Sequence, residues 1–241
     1  MPRPRVARAS VPARMIESRD NERLKLVRKL LAGRKHRDEA GLFACEGEDL
    51  VDAAREAGVE PVELLIAGEN VVPELLASVS TLPHPARAIG VYACSALPTR
   101  PRDVCLGLWQ VGDPGNVGTV LRTADAFGAC VALSDGCADP LSPKALRASA
   151  GAVFRVPILG WDDAPGTRVA LVAHGGAPLA GLRLEPPLTF LLGAEREGLP
   201  DDLATDCCKA TIELPGAAES LNVAAAGAIA LYELTRRSSG R

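Results

Sequence analysis

Glu219-Ser220-Leu221-Asn222-Val223 runs directly into Ala224-Ala225-Ala226-Gly227-Ala228-Ile229-Ala230-Leu231-Tyr232-Glu233. A polar Ser-Leu-Asn turn opens a helix built almost wholly of small residues. A surface helix ordinarily carries one apolar stripe and one charged face. Small side chains on most faces predict instead that other backbone is pressed close on several sides. The segment stands near the end of the chain, where chains ordinarily fray. A close-packed helix there predicts that the turn before it is held for a purpose.

Two earlier segments supply a candidate purpose: Asp113-Pro114-Gly115-Asn116-Val117-Gly118-Thr119-Val120-Leu121-Arg122-Thr123-Ala124 and Leu192-Gly193-Ala194-Glu195-Arg196-Glu197-Gly198-Leu199-Pro200. Each follows an apolar run. Strands are predicted at Val104–Val111, Cys130–Leu133, Val169–Ala173, Leu188–Leu192 and Ala210–Leu214. Helices are predicted from Asn116, as cap, to Phe127 with Gly128 behind it, and from Ser142-Pro143 to Ala148. Near-continuous apolar strands alternating with helices imply a parallel sheet covered on both faces, an α/β fold. The three quoted segments then follow strand C-terminal ends, where such sheets bind ligands. No G-x-G-x-x-G follows a strand, and no P-loop or G-x-S-x-G elbow occurs, which disfavours a dinucleotide site, a P-loop site and a hydrolase elbow.

The first ninety-odd residues read as a separate α/β unit. A helix is predicted at Asn21–Leu31, with Leu24, Val27, Leu30 and Leu31 on one face and Gly33 ending it. A second spans Glu48–Ala57, stopped by Gly58. Strands are predicted at Val62–Ala67 and Ala88–Ala93, with Pro73 in the first turn of a helix between them. Leu97-Pro98-Thr99-Arg100-Pro101-Arg102 reads as the linker. Charge is divided along the same line. Residues 1–37 carry 12 Lys or Arg against 3 Asp or Glu, and the remaining chain carries 15 against 27. A basic arm on an acidic body points to a polyanion. Arg23, Arg28, Lys35 and Arg37 are the candidate phosphate contacts. For residues 1–14 a solvated, disordered tail is an equal alternative. Aromatics make up only 3% of the chain, so recognition by shape and backbone is expected over base stacking.

Seven cysteines, an odd number without a C-x-x-C pair, and three histidines give no metal-ligand spacing. The thiols are expected to be reduced and mostly buried, in a cytoplasmic protein. No apolar run reaches the roughly 20 residues that cross a bilayer.

In order and spacing, the three segments resemble the signature motifs of the SpoU (TrmH-like) class of SPOUT RNA methyltransferases. The resemblance is close over about Val104 to Leu234. It extends more loosely to Phe43-Ala44-Cys45-Glu46-Gly47, which is similar to the F-x-x-E-G of that family's RNA-binding domain. It implies an RNA-binding domain over residues 1–96 and a methyltransferase domain over 103–241. The latter would be a parallel sheet whose C-terminal segment is threaded into a deep trefoil knot, a topology that sequence physics alone would not suggest. It implies methyl transfer from S-adenosylmethionine to a ribose 2′-hydroxyl of ribosomal or transfer RNA, by a homodimer and without a metal.

Site residues carry over by position. Gly193 lets backbone approach the cofactor, Ile212 and Leu214 line the adenine pocket, and Leu221 covers it. Glu213 stands where the family usually carries proline, with Pro215 close behind. Asn116 and Arg122 match the family's catalytic pair. An arginine, always protonated, makes a poor base, so Arg122 is expected to hold a substrate phosphate and stabilise the developing alkoxide. Glu195 is expected to orient Arg122 or Asn116. Ser220 and Asn222 contact the ribose or complete the turn. Arg147 and Ser149, from the matching stretch Lys144–Gly151, face RNA or a partner subunit, the alternative being a surface helix with one basic face. Two other readings stand beside this one: a non-catalytic RNA-binding protein of the same fold, and a base-methylating SPOUT relative.

Overall fold

The computed structural model describes residues 15–238. The basic stretch 1–14, with its alternatives of arm and tail, lies outside the described residues. Helix α1 is Glu22–Ala32, and its cap Asn21 accepts from the Arg23 backbone N–H. Helix α2, Arg34–Ala40, has no apolar stripe that the sequence could betray; Arg34–Asp38 and Lys35–Glu39 ion pairs one turn apart run along it. Strand β1, Leu42–Glu46, has four of its five residues buried. It therefore lacks the alternation that marks a half-buried strand. Helix α3 (Glu48–Glu56), strand β2 (Glu63–Ile66), helix α4 (Pro73–Ala77) and strand β3 (Ala88–Ala93) complete the unit. The strands form an antiparallel sheet in the order β1-β3-β2. Glu46 of the F-x-x-E-G segment is buried and accepts from Ser80 Oγ, Thr81 N and Thr81 Oγ1, so it secures the loop before β3.

Beyond the linker, strand β4 is Val104–Leu108. It stops short of the predicted Val111, and Gln110 takes a left-handed φ of 51°. Helix α5 is Pro114–Phe127. Its cap is Asp113 and not Asn116: the Asp113 carboxylate accepts from Asn116 N at 3.0 Å, and Pro114 occupies the first position, where no N–H is needed. Asn116 and Arg122 thus lie on one helix. Strand β5 (Cys130–Leu133), helix α6 (Pro143–Ser149, capped by Ser142), strands β6 (Ile158–Gly160), β7 (Thr167–Leu171), β8 (Ala177–Pro178) and β9 (Leu188–Leu192) follow. Helix α7 (Asp201–Thr205), strand β10 (Cys208–Thr211) and helix α8 (Val223–Ser238) end the described chain. Strand β10 starts two residues and ends three residues earlier than predicted, which releases Ile212–Leu214 from the sheet.

All seven strands are parallel, in the order β6-β5-β4-β9-β7-β10-β8. Two late strands enter an existing sheet: β9 between β4 and β7, and β10 between β7 and β8. This order is consistent with the threaded topology that the sequence motifs implied. The main core lies between one face of the sheet (Leu106, Leu108, Phe190, Leu192) and helices α5 and α8. Small residues set the spacing. A Cβ on Gly227 of α8 would stand 3.2 Å from Leu192 Cδ1 and 3.3 Å from Leu106 Cδ1. A Cβ on Gly118 of α5 would stand 2.3 Å from Ala145 O of α6. Backbone held this close gains dispersion contacts that bulkier side chains would prevent. All seven cysteines are free, and four are buried. Burial pushes the Cys45 thiol well above its ordinary value.

Candidate active site

A cavity of about 640 Å³ opens at the C-terminal ends of β7, β9 and β10. Gly193, Ile212, Leu214 and Leu221 all line it, together with Glu195, Ser220 and Asn222. Leu171 at the end of β7 lines it too, with Val172 and Ala173 just beyond the strand. That wall was not foreseen from sequence, because nothing in the chain announces that β7 runs between β9 and β10.

Gly193 has a reason of its own. A Cβ there would stand 2.1 Å from Gly198 C and 2.3 Å from Leu199 N. The loop folds back onto Gly193, tied by Gly198 N to Ala194 O at 3.0 Å. Gly198 itself takes φ 69°, which glycine adopts without strain. The turn sets Glu195 at its exposed tip.

The three motif loops meet through side chains. Asn116 Nδ2 donates to Glu195 Oε1 at 2.7 Å, and Asn222 Nδ2 donates to Asn116 Oδ1 at 3.0 Å. Both polar ends of the Asn116 amide are therefore engaged. Asn222 Oδ1 accepts from Ala224 N at 2.9 Å and caps α8. Glu195 thus takes Asn116 and not Arg122. Asp113 pairs with Lys144 of α6 at 2.6 Å. The Lys144 ammonium and the N–H of Asn116 hold the Asp113 carboxyl below its usual range. Neither Asp113 nor Lys144 was singled out from sequence, and a long-range ion pair leaves no local signal.

Arg122 lies two turns along α5 from Asn116. It is exposed and makes no ion pair among the described residues, and it does not line the cavity. Its guanidinium is free to meet an incoming anion. Ser220 is exposed at the cavity mouth.

The basic candidates divide. Arg28, Lys35 and Arg147 are exposed. Arg23 is committed to a fork with Glu63, its Nε donating to Oε2 at 2.5 Å. That hydrogen bond is the main cause raising its pKa. Arg37 is only 4% exposed and paired with Asp139. Both arginines are withdrawn from phosphate binding by buried or half-buried carboxylates. Ser149 is likewise buried, donating to Leu146 O at 2.8 Å, and faces neither RNA nor a partner. Among the described residues no group of three or more His, Cys, Asp or Glu side chains gathers. No helix of the described chain is long and apolar enough to cross a membrane.

The cavity suits S-adenosylmethionine. It joins apolar Ile212, Leu214 and Leu221 to backbone freed from the sheet, under a rim of Glu195, Arg196 and Glu197. The parallel sheet with inserted strands and the loop-built cavity define a SPOUT-type methyltransferase. The model of the SpoU rRNA Methylase family matches residues 103–232, and that of the MRM3-like substrate binding domain matches residues 21–95. The chain belongs to the SpoU rRNA methylase family. It is 32% identical to the 23S rRNA (guanosine(2553)-2′-O)-methyltransferase RlmP of Bacillus subtilis, over 92% of this chain and 99% of that protein. It is 30% identical to a 23S rRNA (uridine(2479)-2′-O)-methyltransferase of Streptomyces viridochromogenes, over 95% and 94%. Among solved structures, the AdoMet-bound rRNA methyltransferase of Sinorhizobium meliloti superposes with a TM-score of 0.81 at 30% identity, covering 93% of this chain and 98% of that one.

Proposed function

We propose that this chain methylates a ribose 2′-hydroxyl of ribosomal RNA with S-adenosylmethionine as donor. The observation that carries the reading is the Glu195–Asn116–Asn222 chain of hydrogen bonds, which locks three motif loops together at the mouth of the cavity. Gly193, Ile212, Leu214 and Leu221 would hold the cofactor, which when bound supplies the electrophilic methyl. The protein's own part is placement. Asn116 fixes Glu195 and the start of α8, so the rim is set before RNA arrives. Arg122 holds a phosphate of the target nucleotide and stabilises negative charge as the hydroxyl loses its proton. Arg28, Lys35 and Arg147 supply further phosphate contacts.

The protein works as a homodimer in the cytoplasm. Tyr232 on α8, 56% exposed, and Phe127 on α5, 36% exposed, are the large apolar groups that a second copy would cover. The test is transfer from methyl-labelled S-adenosylmethionine to unmodified ribosomal and transfer RNA, followed by digestion to nucleosides. Label in a 2′-O-methyl nucleoside of the ribosomal pool is expected. Label on a base moves the chain to another SPOUT branch. No label, with cofactor binding intact, leaves a non-catalytic RNA-binding protein.

A further inference from the structure

A proline-bearing linker ordinarily implies two modules free to reorient. Here the N-terminal unit and the methyltransferase sheet share an apolar cluster. Phe43 and Tyr92 from the first pack on Phe154 from the second, with ring centroids 6.0 Å and 5.1 Å away. Leu50 of α3 and Leu146 of α6 join them. Gly151, at φ 83°, lies so near α3 that a Cβ would stand 2.3 Å from Ala53 Cβ.

Apolar contact alone is non-directional and tolerates sliding. The Arg37–Asp139 pair does not. Arg37 Nε and Nη2 both donate to Asp139 Oδ2, at 2.9 Å and 2.5 Å, while Nη1 donates to Leu30 O of α1. Asp139 Oδ1 accepts from Leu141 N at 2.8 Å, ahead of the Ser142 cap of α6. The two side chains are 5% and 13% exposed. One guanidinium therefore joins α1, α2 and the loop that starts α6. Removing such charges from water is costly, and an apolar pair of equal volume often holds a fold as well, so a role in orientation is the better reason for the pair. The elements it joins are the ones that matter for RNA. Helix α2 presents Arg34 and Lys35, α6 presents Lys144 and Arg147, and α6 lies against α5, which presents Arg122.

Resting on the methyltransferase reading above, we propose that Arg37–Asp139 is a specificity-determining positioning pair. It fixes the span between the RNA-anchoring face of the N-terminal unit and the methyl-acceptor site. The nucleotide modified is the one that this span reaches from a structured RNA anchor. Arg37 thereby acts on selectivity without touching RNA.

The test compares wild type with the double variant Arg37→Met/Asp139→Leu, which removes both charges and leaves none unpaired. Two readouts are taken on the full chain. One is the distance distribution between fluorophores on unnatural side chains at exposed positions 29 and 206. The other is nucleotide-resolved 2′-O-methyl mapping on unmodified ribosomal and transfer RNA transcripts. The double variant is expected to keep its circular dichroism and to bind S-adenosylmethionine within about twofold of wild type. It should show a broadened distance distribution, about a tenfold loss in kcat/KM, and methylation scattered over several nucleotides, because catalysis falls steeply with loss of orientation. Broadening together with scatter supports the proposal, and either one without the other overturns it. Wild type that labels no transcript refutes the parent reading and the selectivity role with it.

Discussion

Asn222 does two jobs with one amide, and substitution can separate them. Its Oδ1 caps α8 by accepting from Ala224 N at 2.9 Å, and its Nδ2 donates to Asn116 at 3.0 Å. Asn222→Ala removes both. Loss of a cap costs about 1 kcal/mol. The bond to Asn116 is exposed and neutral, so it adds about 0.5 kcal/mol. At about 2–4 °C per kcal/mol for a chain of this size, the total predicts a fall in melting temperature of roughly 3–6 °C. Asn222→Asp keeps a capping acceptor and places negative charge at a helix N-terminus, where it is favourable. Its stability should lie within about 0.5 kcal/mol of wild type. The introduced carboxylate cannot donate to Asn116, however. It faces Asn116 Oδ1 instead, acceptor against acceptor, and flipping the Asn116 amide only moves that clash to Glu195. The Asn222→Asp variant should therefore melt like wild type yet lose at least about tenfold in methyl transfer, as expected when a group of the reacting geometry is displaced. Thermal unfolding and initial-rate transfer, run on both variants side by side, decide it. If Asn222→Asp transfers methyl at the wild-type rate, the Asn116 link is irrelevant to catalysis and the placement role given to it is wrong.

Arg122→Ala should reduce transfer by about 100-fold or more while S-adenosylmethionine affinity, read by calorimetry, stays unchanged, because Arg122 does not line the cavity. Gly193→Ala should do the reverse at the binding step: a Cβ 2.1 Å from Gly198 C displaces the loop, so cofactor affinity should drop about tenfold or more with secondary structure retained by circular dichroism. Arg28→Ala should lower the slope of log K against log salt for RNA binding by about 0.7–0.9, and Arg23→Ala should leave that slope unchanged because its charge is already matched by Glu63; equal slopes for the two variants would undo the division drawn between free and committed arginines.

The loops of the site stood out in the sequence by their residue types, while the roles of their side chains came from the resemblance to the SpoU motifs. Gly193 was legible as a close approach of backbone; the left-handed Gly198, Pro114 at the start of α5 and the Asn222 cap are backbone requirements that the structure adds. The alternation of strands and helices was legible in residue types as well. What escaped was set at a distance. Asp113 takes the cap from Asn116 because it also has Lys144, 31 residues away, to hold it in place. Arg37 looks like one more charge of a basic arm until Asp139 is found 102 residues later. Strands β6 and β8, of three and two residues, are too short to show any period. The extra residues read into β4 and β10 belong to loops, and two of those beyond β10, Ile212 and Leu214, line the cavity.

The sheet order also has a consequence for biosynthesis. Strands β9 and β10 emerge late from the ribosome yet occupy interior places. Until they emerge, only β6, β5 and β4 can pair with one another, and β7 and β8 have no strand beside them. A nascent polypeptide halted before β9 would leave two finished strands without a partner, where most truncated α/β chains leave only one outer edge open. The N-terminal unit, whose strands are all made within the first 93 residues, faces no such delay. It can fold first and wait, with Phe43 and Tyr92 uncovered, for the partner surface around Phe154. During that interval the growing chain presents its aromatic residues to solvent, and chaperone dependence should be greatest there.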